Sequence, residues 1–70
     1  MGDVRPGRVD VLGHVATIDA IGCVDVYTMR GTWLGWTNGA DEMMSTGGFR
    51  DDIASTVERV AKAAKGVNRG

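Results

Sequence analysis

The spacing of the hydrophobic residues changes once along this chain, and that change most restricts the folds open to it. Up to about residue 45, Val, Ile and aromatic residues occur in short segments that Gly and polar residues interrupt, as in β-strands joined by turns. Beyond that point apolar residues recur every three or four residues, as on one side of an α-helix. The pattern predicts an α+β fold in which an antiparallel β-meander of three or four strands precedes one C-terminal α-helix packed on one sheet face.

Val- and Ile-rich segments mark the strands. Residues 8–21 are predicted as one strand, interrupted at most near Gly13. Residues 23–29 are predicted as the next strand because Val24, Val26 and Thr28 fall on one face, and residues 32–37 as the strand after it because they are β-branched and aromatic. Together with a further strand at 40–45 they form a meander over residues 8–45.

Two dipeptides are predicted to join the later strands as tight turns. Arg30-Gly31 is the first. Asn38-Gly39 is the strongest local signal, since both residue types tolerate the positive φ that a type I′ hairpin requires. Residues 40–45 should therefore return antiparallel to the strand before them.

The helix is predicted over residues 50–65. Ser45 and Thr46 are candidate caps at its start, and Gly66 suits the position after its end. Its apolar side is predicted to consist of Phe49, Ile53, Val57, Val60, Ala61 and Ala64.

A chain of 70 residues makes one small domain, residues 1–70, of which 1–7 read as a loose N-terminal tail. Domains of this size have little core and usually add a disulfide, a metal or a partner. The single cysteine excludes an internal disulfide, and one cysteine with one histidine excludes the common zinc-ligand sets. We therefore predict no metal and no cofactor, and a partner subunit as the remaining source of stability.

Two-residue turns fix which residues share a face of the sheet. Counting outward from them pairs Val26 with Gly35 and Leu34 with Met43. One face then holds Val24, Val26, Thr28, Trp33, Gly35, Glu42 and Met44. The other holds Cys23, Asp25, Tyr27, Met29, Leu34, Trp36, Asp41 and Met43.

Both predicted faces are apolar, and one helix covers only one of them. We expect the uncovered side to be an association surface formed by Tyr27, Leu34, Trp36 and Met43, which we call the predicted surface. Two alternatives stay open: the segment from Val9 to Ile18 folds over this side, or the side forms a pocket for a small ligand.

Several short segments of the chain resemble the YegP-like family of small bacterial and phage domains. The resemblance covers about residues 23–65 and is carried by segments 24–27, 31–33, 38–39, 48–49 and 57–60. It implies a sheet-and-helix fold and a tendency to associate, but no chemistry. It also implies that Val24, Val26 and Trp33 face the helix.

The chain departs from that family at three places. Gly35 stands where the family usually has a second aromatic residue, and Leu34 and Trp36 stand where it has arginines. The segment between Asn38 and Phe49 is one residue longer, which allows a bulge.

Residues with reactive side chains have simple structural explanations. His14 has no Ser, Cys or Asp at a spacing that indicates a nucleophile dyad, and Cys23 has no adjacent cation to activate its thiol. The pair Asp51-Asp52 suits a helix N-terminus.

Two further patterns weigh against ion and phosphate sites. Asp51-Asp52 with Asp41 or Glu42 matches no calcium loop. Gly47-Gly48 precedes the helix without a phosphate-loop motif. We therefore predict that the protein is not an enzyme.

Basic residues offer a nucleic-acid alternative. The side chains that could contact phosphates lie near one face of the predicted helix or near the N-terminus. They are Arg59, Lys62, Lys65, Arg69, Arg5 and Arg8. The same cations also suit a solvated face and a helix C-terminus. Net charge −1 and a pI of about 5.6 argue against bulk binding to nucleic acid or membrane surfaces.

We predict a non-enzymatic interaction module or accessory protein that forms a homodimer or binds a partner protein. The alternative is a nucleic-acid-associated regulator similar to HicB-like antitoxins, although their Pro-Asp-Leu-Pro-Gly signature is absent. No apolar run or N-terminal hydrophobic region suggests a membrane or export signal, which favours the cytoplasm. The excess of Arg over Lys and Asp over Glu suggests GC-rich codons, hence a high-GC bacterium or its phage and, for a phage protein, the host cytoplasm.

Overall fold

The computed structural model describes residues 6–38, 42–46 and 51–68, which form an antiparallel meander sheet followed by one helix. The sheet has five strands in the order β1-β2-β3-β4-β5. Their bounds are β1 Gly7–Val11, β2 His14–Ile18, β3 Val24–Thr28, β4 Trp33–Thr37, β5 Met43–Ser45 and, for the helix, α1 Asp51–Val67. The predicted α+β class is confirmed, with one strand more than expected.

The extra strand arises because the predicted first strand is a hairpin. Leu12 and Gly13 both have positive φ, 52° and 71°, and form a two-residue turn that pairs Val11 with His14. Positive φ at both positions matches the twist of the flanking strands. The prediction of one strand over residues 8–21 is therefore wrong, whereas the interruption considered near Gly13 is confirmed as the turn of this hairpin.

The turn between β2 and β3 is organised by one carboxylate. Asp19 Oδ1 accepts hydrogen bonds from the backbone N–H of Ile21 at 3.1 Å and of Cys23 at 2.9 Å. Gly22 supplies the positive φ of 89° that the turn requires.

The β3–β4 hairpin is closed by Thr28 and Thr32, with three residues between them rather than the predicted two. Thr28 N donates to the Thr32 carbonyl at 2.8 Å, and Gly31 takes a positive φ of 94°. The additional residue in this turn shifts the β3–β4 register by one at Tyr27. A β-bulge near Leu34 returns the register to the predicted one at Val26. Tyr27 therefore pairs with Trp33, while Val26 pairs with Gly35 as predicted.

The hairpin between β4 and β5 is longer than predicted. Asn38 and Glu42 close it, with Asn38 N donating to the Glu42 carbonyl at 3.2 Å and Glu42 N donating to Asn38 Oδ1 at 3.1 Å. Thr37 pairs with Met43, so the predicted two-residue turn is wrong, whereas the predicted antiparallel return strand is confirmed over Met43–Ser45. Residues 39–41 lie outside the described residues.

The backbone of β5 comes close to β4 at Gly35, the one glycine of that strand. A Cβ on Gly35 would overlap the Met44 carbonyl oxygen and lie 2.9 Å from Ser45 Cα. Gly35 therefore has no side chain because the neighbouring backbone occupies that space.

The core lies between one face of the sheet and α1. Its buried members are Val9, Ala16, Ile18, Val24, Val26, Val57, Val60, Ala61 and Ala64. Ile53 packs against this cluster as predicted, and Phe49 lies outside the described residues. The helix contacts all five strands from this side, so we call it the inner face.

The helix extends slightly beyond its predicted bounds. It continues through Gly66, which the sequence suggested as the residue after its end. Lys65 Nζ donates to the Asn38 carbonyl at 3.0 Å and ties the last turn to the end of β4. Ser45 is in β5 and Thr46 bonds to Leu34, so neither begins the helix.

Candidate interaction surface

The face opposite the helix carries two rows of side chains, which together we call the outer face. Strand residues point alternately to the two sides, and residues paired across strands share a side. The first row, from β1 to β5, is Arg8, Thr17, Asp25, Trp36 and Met44. The second row, from β1 to β4, is Asp10, Val15, Tyr27 and Trp33.

Two of the four residues of the predicted surface lie on the outer face. They are Tyr27 and Trp36, both partly buried. Leu34 instead packs against the core, because the bulge turns it to the inner face. Met43 pairs with buried Thr37 and belongs to the inner side, because the β4–β5 loop is longer than two residues.

Trp33 and Met44 lie on the outer face where Leu34 and Met43 were expected. The implied helix-facing position of Trp33 is therefore wrong, whereas those of Val24 and Val26 are correct. A glycine inside a strand, here Gly35, is the sequence signal that indicates a bulge or a close backbone approach. The sequence did not predict that Arg8 and Asp10 lie on this face, because no pairing partner could be assigned to their strand.

Both tryptophans of the chain lie on the outer face. Trp33 Nε1 donates to Asp25 Oδ1 at 3.2 Å, so the indole lies across the neighbouring strand and gives the partly buried carboxylate a donor. Met44 is 55% exposed beside Trp36. The β3–β5 side of this face is therefore aromatic and apolar.

The β1 side of the outer face is charged. Arg8 Nε lies 3.3 Å from Asp10 Oδ1, and the two side chains are 67% and 55% exposed. An exposed pair of this kind contributes little to folding stability. The outer face thus has one charged end and one apolar end.

No described residue covers the outer face. The segment from Val9 to Ile18 pairs edge to edge with β3 as a hairpin rather than folding over the sheet, so that alternative is wrong. The apolar end is therefore exposed to solvent within the part of the chain that the structure describes.

The outer face also contains an open depression of about 400 Å³ near the β3–β4 turn. Its lining residues are Arg8, Val15, Thr17, Tyr27, Met29, Arg30 and Gly31. The lining mixes apolar side chains with two cations and two hydroxyl groups. The shape is a shallow surface feature rather than an enclosed ligand pocket.

The candidate reactive residues have ordinary structural surroundings. His14 Nδ1 lies 2.9 Å from the Leu12 carbonyl, next to the β1–β2 turn. Cys23 is a partly buried free thiol after the Asp19 turn. Among residues 6–38, 42–46 and 51–68, no group of three or more His, Cys, Asp or Glu side chains could hold a metal ion.

Of the acidic and glycine residues considered for an ion or phosphate site, the structure describes only some. Asp52 lies in the first turn of α1, where its carbonyl accepts from Thr56 Oγ1 at 2.8 Å. Asp41, Gly47 and Gly48, and the side chain of Asp51, lie outside what the structure describes.

The predicted basic groups do not form one surface with the sheet. Arg59 and Lys62 are exposed on α1, on the opposite side of the molecule from Arg8. Lys65 is engaged with the end of β4. Arg5 and Arg69 lie outside the described residues.

Comparison of the chain with protein-family models, curated proteins and solved structures gave no match. Within the described segments, the helix is too short and too polar to cross a membrane.

Proposed function

We propose that this chain is a non-enzymatic protein-interaction module and that the outer face is its docking surface. The observation that carries the proposal is the position of Tyr27, Trp33, Trp36 and Met44 on a sheet face that no described residue covers. Aromatic residues and methionine are enriched at the centres of protein interfaces.

The free energy of burial favours a covered outer face. Each large apolar side chain gains about 1.5–3 kcal/mol when it moves from water to a packed environment. Trp33 and Trp36 are already partly buried by their neighbours, so a flat partner need remove only their remaining exposed area. Rigid rings on a sheet also lose little conformational entropy on binding.

The charges of the outer face favour a protein over a nucleic acid. The carboxylate of Asp25 lies between the aromatic side chains of β3 and β4, where a phosphate backbone would approach. Arg8 is paired with Asp10, which cancels its charge locally. Stacking on Tyr27, Trp33 and Trp36 is the one feature that favours single-stranded nucleic acid.

Photo-crosslinking in the producing cell tests the proposal. A photoreactive phenylalanine analogue replaces Trp36 in one variant and Lys62, exposed on the helix, in the control. We expect covalent protein adducts from position 36 and none from position 62. Adducts to nucleic acid alone, or equal protein adducts at both positions, would overturn the proposal.

A titration with single-stranded oligonucleotides separates the alternative function. Both tryptophans lie on the outer face, so stacking of a base would quench their fluorescence. We expect no quenching even at low salt, where phosphate contacts are strongest.

A further inference from the structure

We infer that the outer face binds a second copy of this chain, face to face, about a two-fold axis that lies in the interface at right angles to the strands. This inference rests on the proposed function and names its partner. It follows from the order of charges and rings along the two rows of the outer face.

Such an axis places each strand over its own counterpart and exchanges the two rows. Every first-row residue then lies over a second-row residue of the other copy. The axis makes the two contacts on each strand equivalent, as in any isologous dimer. Two sheets packed this way lie about 10 Å apart, with their strands offset by about 30°.

The charges on β1 are complementary under this operation. Arg8 is in the first row and Asp10 in the second. The exchange places Arg8 of each copy over Asp10 of the other. The intrachain ion pair thereby extends to four charges of alternating sign at the rim of the interface.

The aromatic end is complementary as well. On β4, Trp36 of one copy lies over Trp33 of the other, which allows the indoles to stack. On β3, Asp25 lies over Tyr27 of the other copy. A phenol hydroxyl is a donor, and it adds to the hydrogen bond that Asp25 accepts from Trp33 at 3.2 Å.

The other two-fold arrangement that keeps the strands of the two sheets aligned is unfavourable. An axis parallel to the strands and centred on β3 would place Asp25 directly over Asp25 of the other copy, and Arg8 over Met44. Like charges in an interface are costly, and a cation over a methionine has no partner. Of the two aligned arrangements, the charge pattern therefore favours the one with the axis perpendicular to the strands.

The available area predicts a reversible dimer. Four strands of five residues and one of three, spaced by about 4.8 Å with about 3.3 Å per residue, cover at most roughly 20 by 17 Å. Two such faces cover about 700 Å² in total, which is less than the roughly 1,200–2,000 Å² of stable specific interfaces and is typical of weak, transient contacts. We expect association in the micromolar range rather than a permanent dimer.

Charge reversal on β1 tests the inference by sedimentation equilibrium. Arg8→Asp makes both β1 positions acidic, and Asp10→Arg makes both basic, so each variant repels itself across the proposed axis. We expect each to dimerise about tenfold more weakly than the natural chain, and an equimolar mixture to regain the natural affinity as a heterodimer. Glu58→Arg and Arg59→Asp, exposed on the helix, are the matched controls and should change nothing.

Cross-linking provides a second measurement that does not depend on charge. In a Cys23→Ser background, chains carrying Val15→Cys and Thr17→Cys are labelled with a short bismaleimide. We expect cross-links between the two different chains at a higher yield than between identical chains, because the axis places position 15 over position 17.

Three results would overturn the inference: a natural chain that stays monomeric at several hundred micromolar, charge variants that dimerise as well as the natural chain, or a mixture that does not recover. A monomeric chain whose position 36 still cross-links to a different protein would overturn the dimer while leaving the proposed function in place. Failure of the proposed function is instead the absence of protein adducts at position 36.

Discussion

The two faces of the sheet differ in the size of their side chains as much as in their polarity. The inner face carries small aliphatic groups, such as Val24, Val26 and Ala16, all completely buried against α1. The outer face carries two indoles, a phenol and charged groups that remain partly exposed.

Small aliphatic residues bring the helix close to the sheet and fill the space between them without polar atoms. Large rings on the other side contribute less to that core and present a broad apolar area to a partner. The comparison indicates that the inner face determines folding stability and the outer face determines association.

We expect the largest loss of folding stability from a substitution on the inner face of β3, and little loss from a substitution of the next residue, on the outer face. Val26→Asp buries an unpaired charge at a position that is 0% exposed, and we expect a loss of about 4 kcal/mol, enough to unfold so small a domain. Tyr27→Asp, one residue later on the outer face, should leave a folded chain with weakened association. Circular dichroism and sedimentation measure the two properties; equal melting temperatures for both variants would contradict the distinction between the faces.

A second prediction concerns the close approach of the β5 backbone to Gly35 in β4. Gly35→Ala places a methyl group where the Met44 carbonyl lies, so we expect a loss of about 2 kcal/mol as β5 shifts. Gly66→Ala is the control, because nothing lies within 4 Å of its added Cβ and alanine favours a helix, so it should stabilise the fold by up to about 1 kcal/mol. Denaturant unfolding would contradict the assignment if both changes had the same sign.

A third prediction concerns the hydrogen bond on the outer face. Trp33→Phe keeps the apolar contact but removes the donor to Asp25. We expect a cost of about 1 kcal/mol in the monomer, much less than at Val26, because the carboxylate is only partly buried. Thermal unfolding at low protein concentration measures this loss of monomer stability. A Trp33→Phe variant as stable as the natural chain would show that the hydrogen bond to Asp25 does not stabilise the fold.

The smallest effect lies in the β1–β2 turn, which belongs to neither face. Leu12 has a φ of 52° and is 58% exposed, a strained position for leucine. Leu12→Asn should stabilise the chain by about 0.5–1 kcal/mol, since asparagine accepts this conformation. Leu12→Val is the opposing control and should destabilise it, because a β-branched residue tolerates positive φ poorly.

The sequence predicted the class of fold, the buried side of the helix and the inner-face positions of Val24 and Val26, but not those of the β1 and β2 residues, and it placed only two of the four residues of the predicted surface correctly. Residues such as Val24, Val57 and Val60 follow from periodicity alone, because burial on one side imposes it. Leu34 and Met43 were misplaced because face assignment depends on register, and one extra residue in a loop or a bulge reverses it.

Acrylamide quenching of tryptophan fluorescence, measured against protein concentration, tests most directly whether the outer face is covered by a second copy. Both tryptophans lie on that face, so the signal reports on it alone. We expect quenching of the natural chain to decrease as its concentration rises through the micromolar range, and Arg8→Asp to remain easily quenched throughout. Tryptophans that stay equally accessible at every concentration in the natural chain would contradict it.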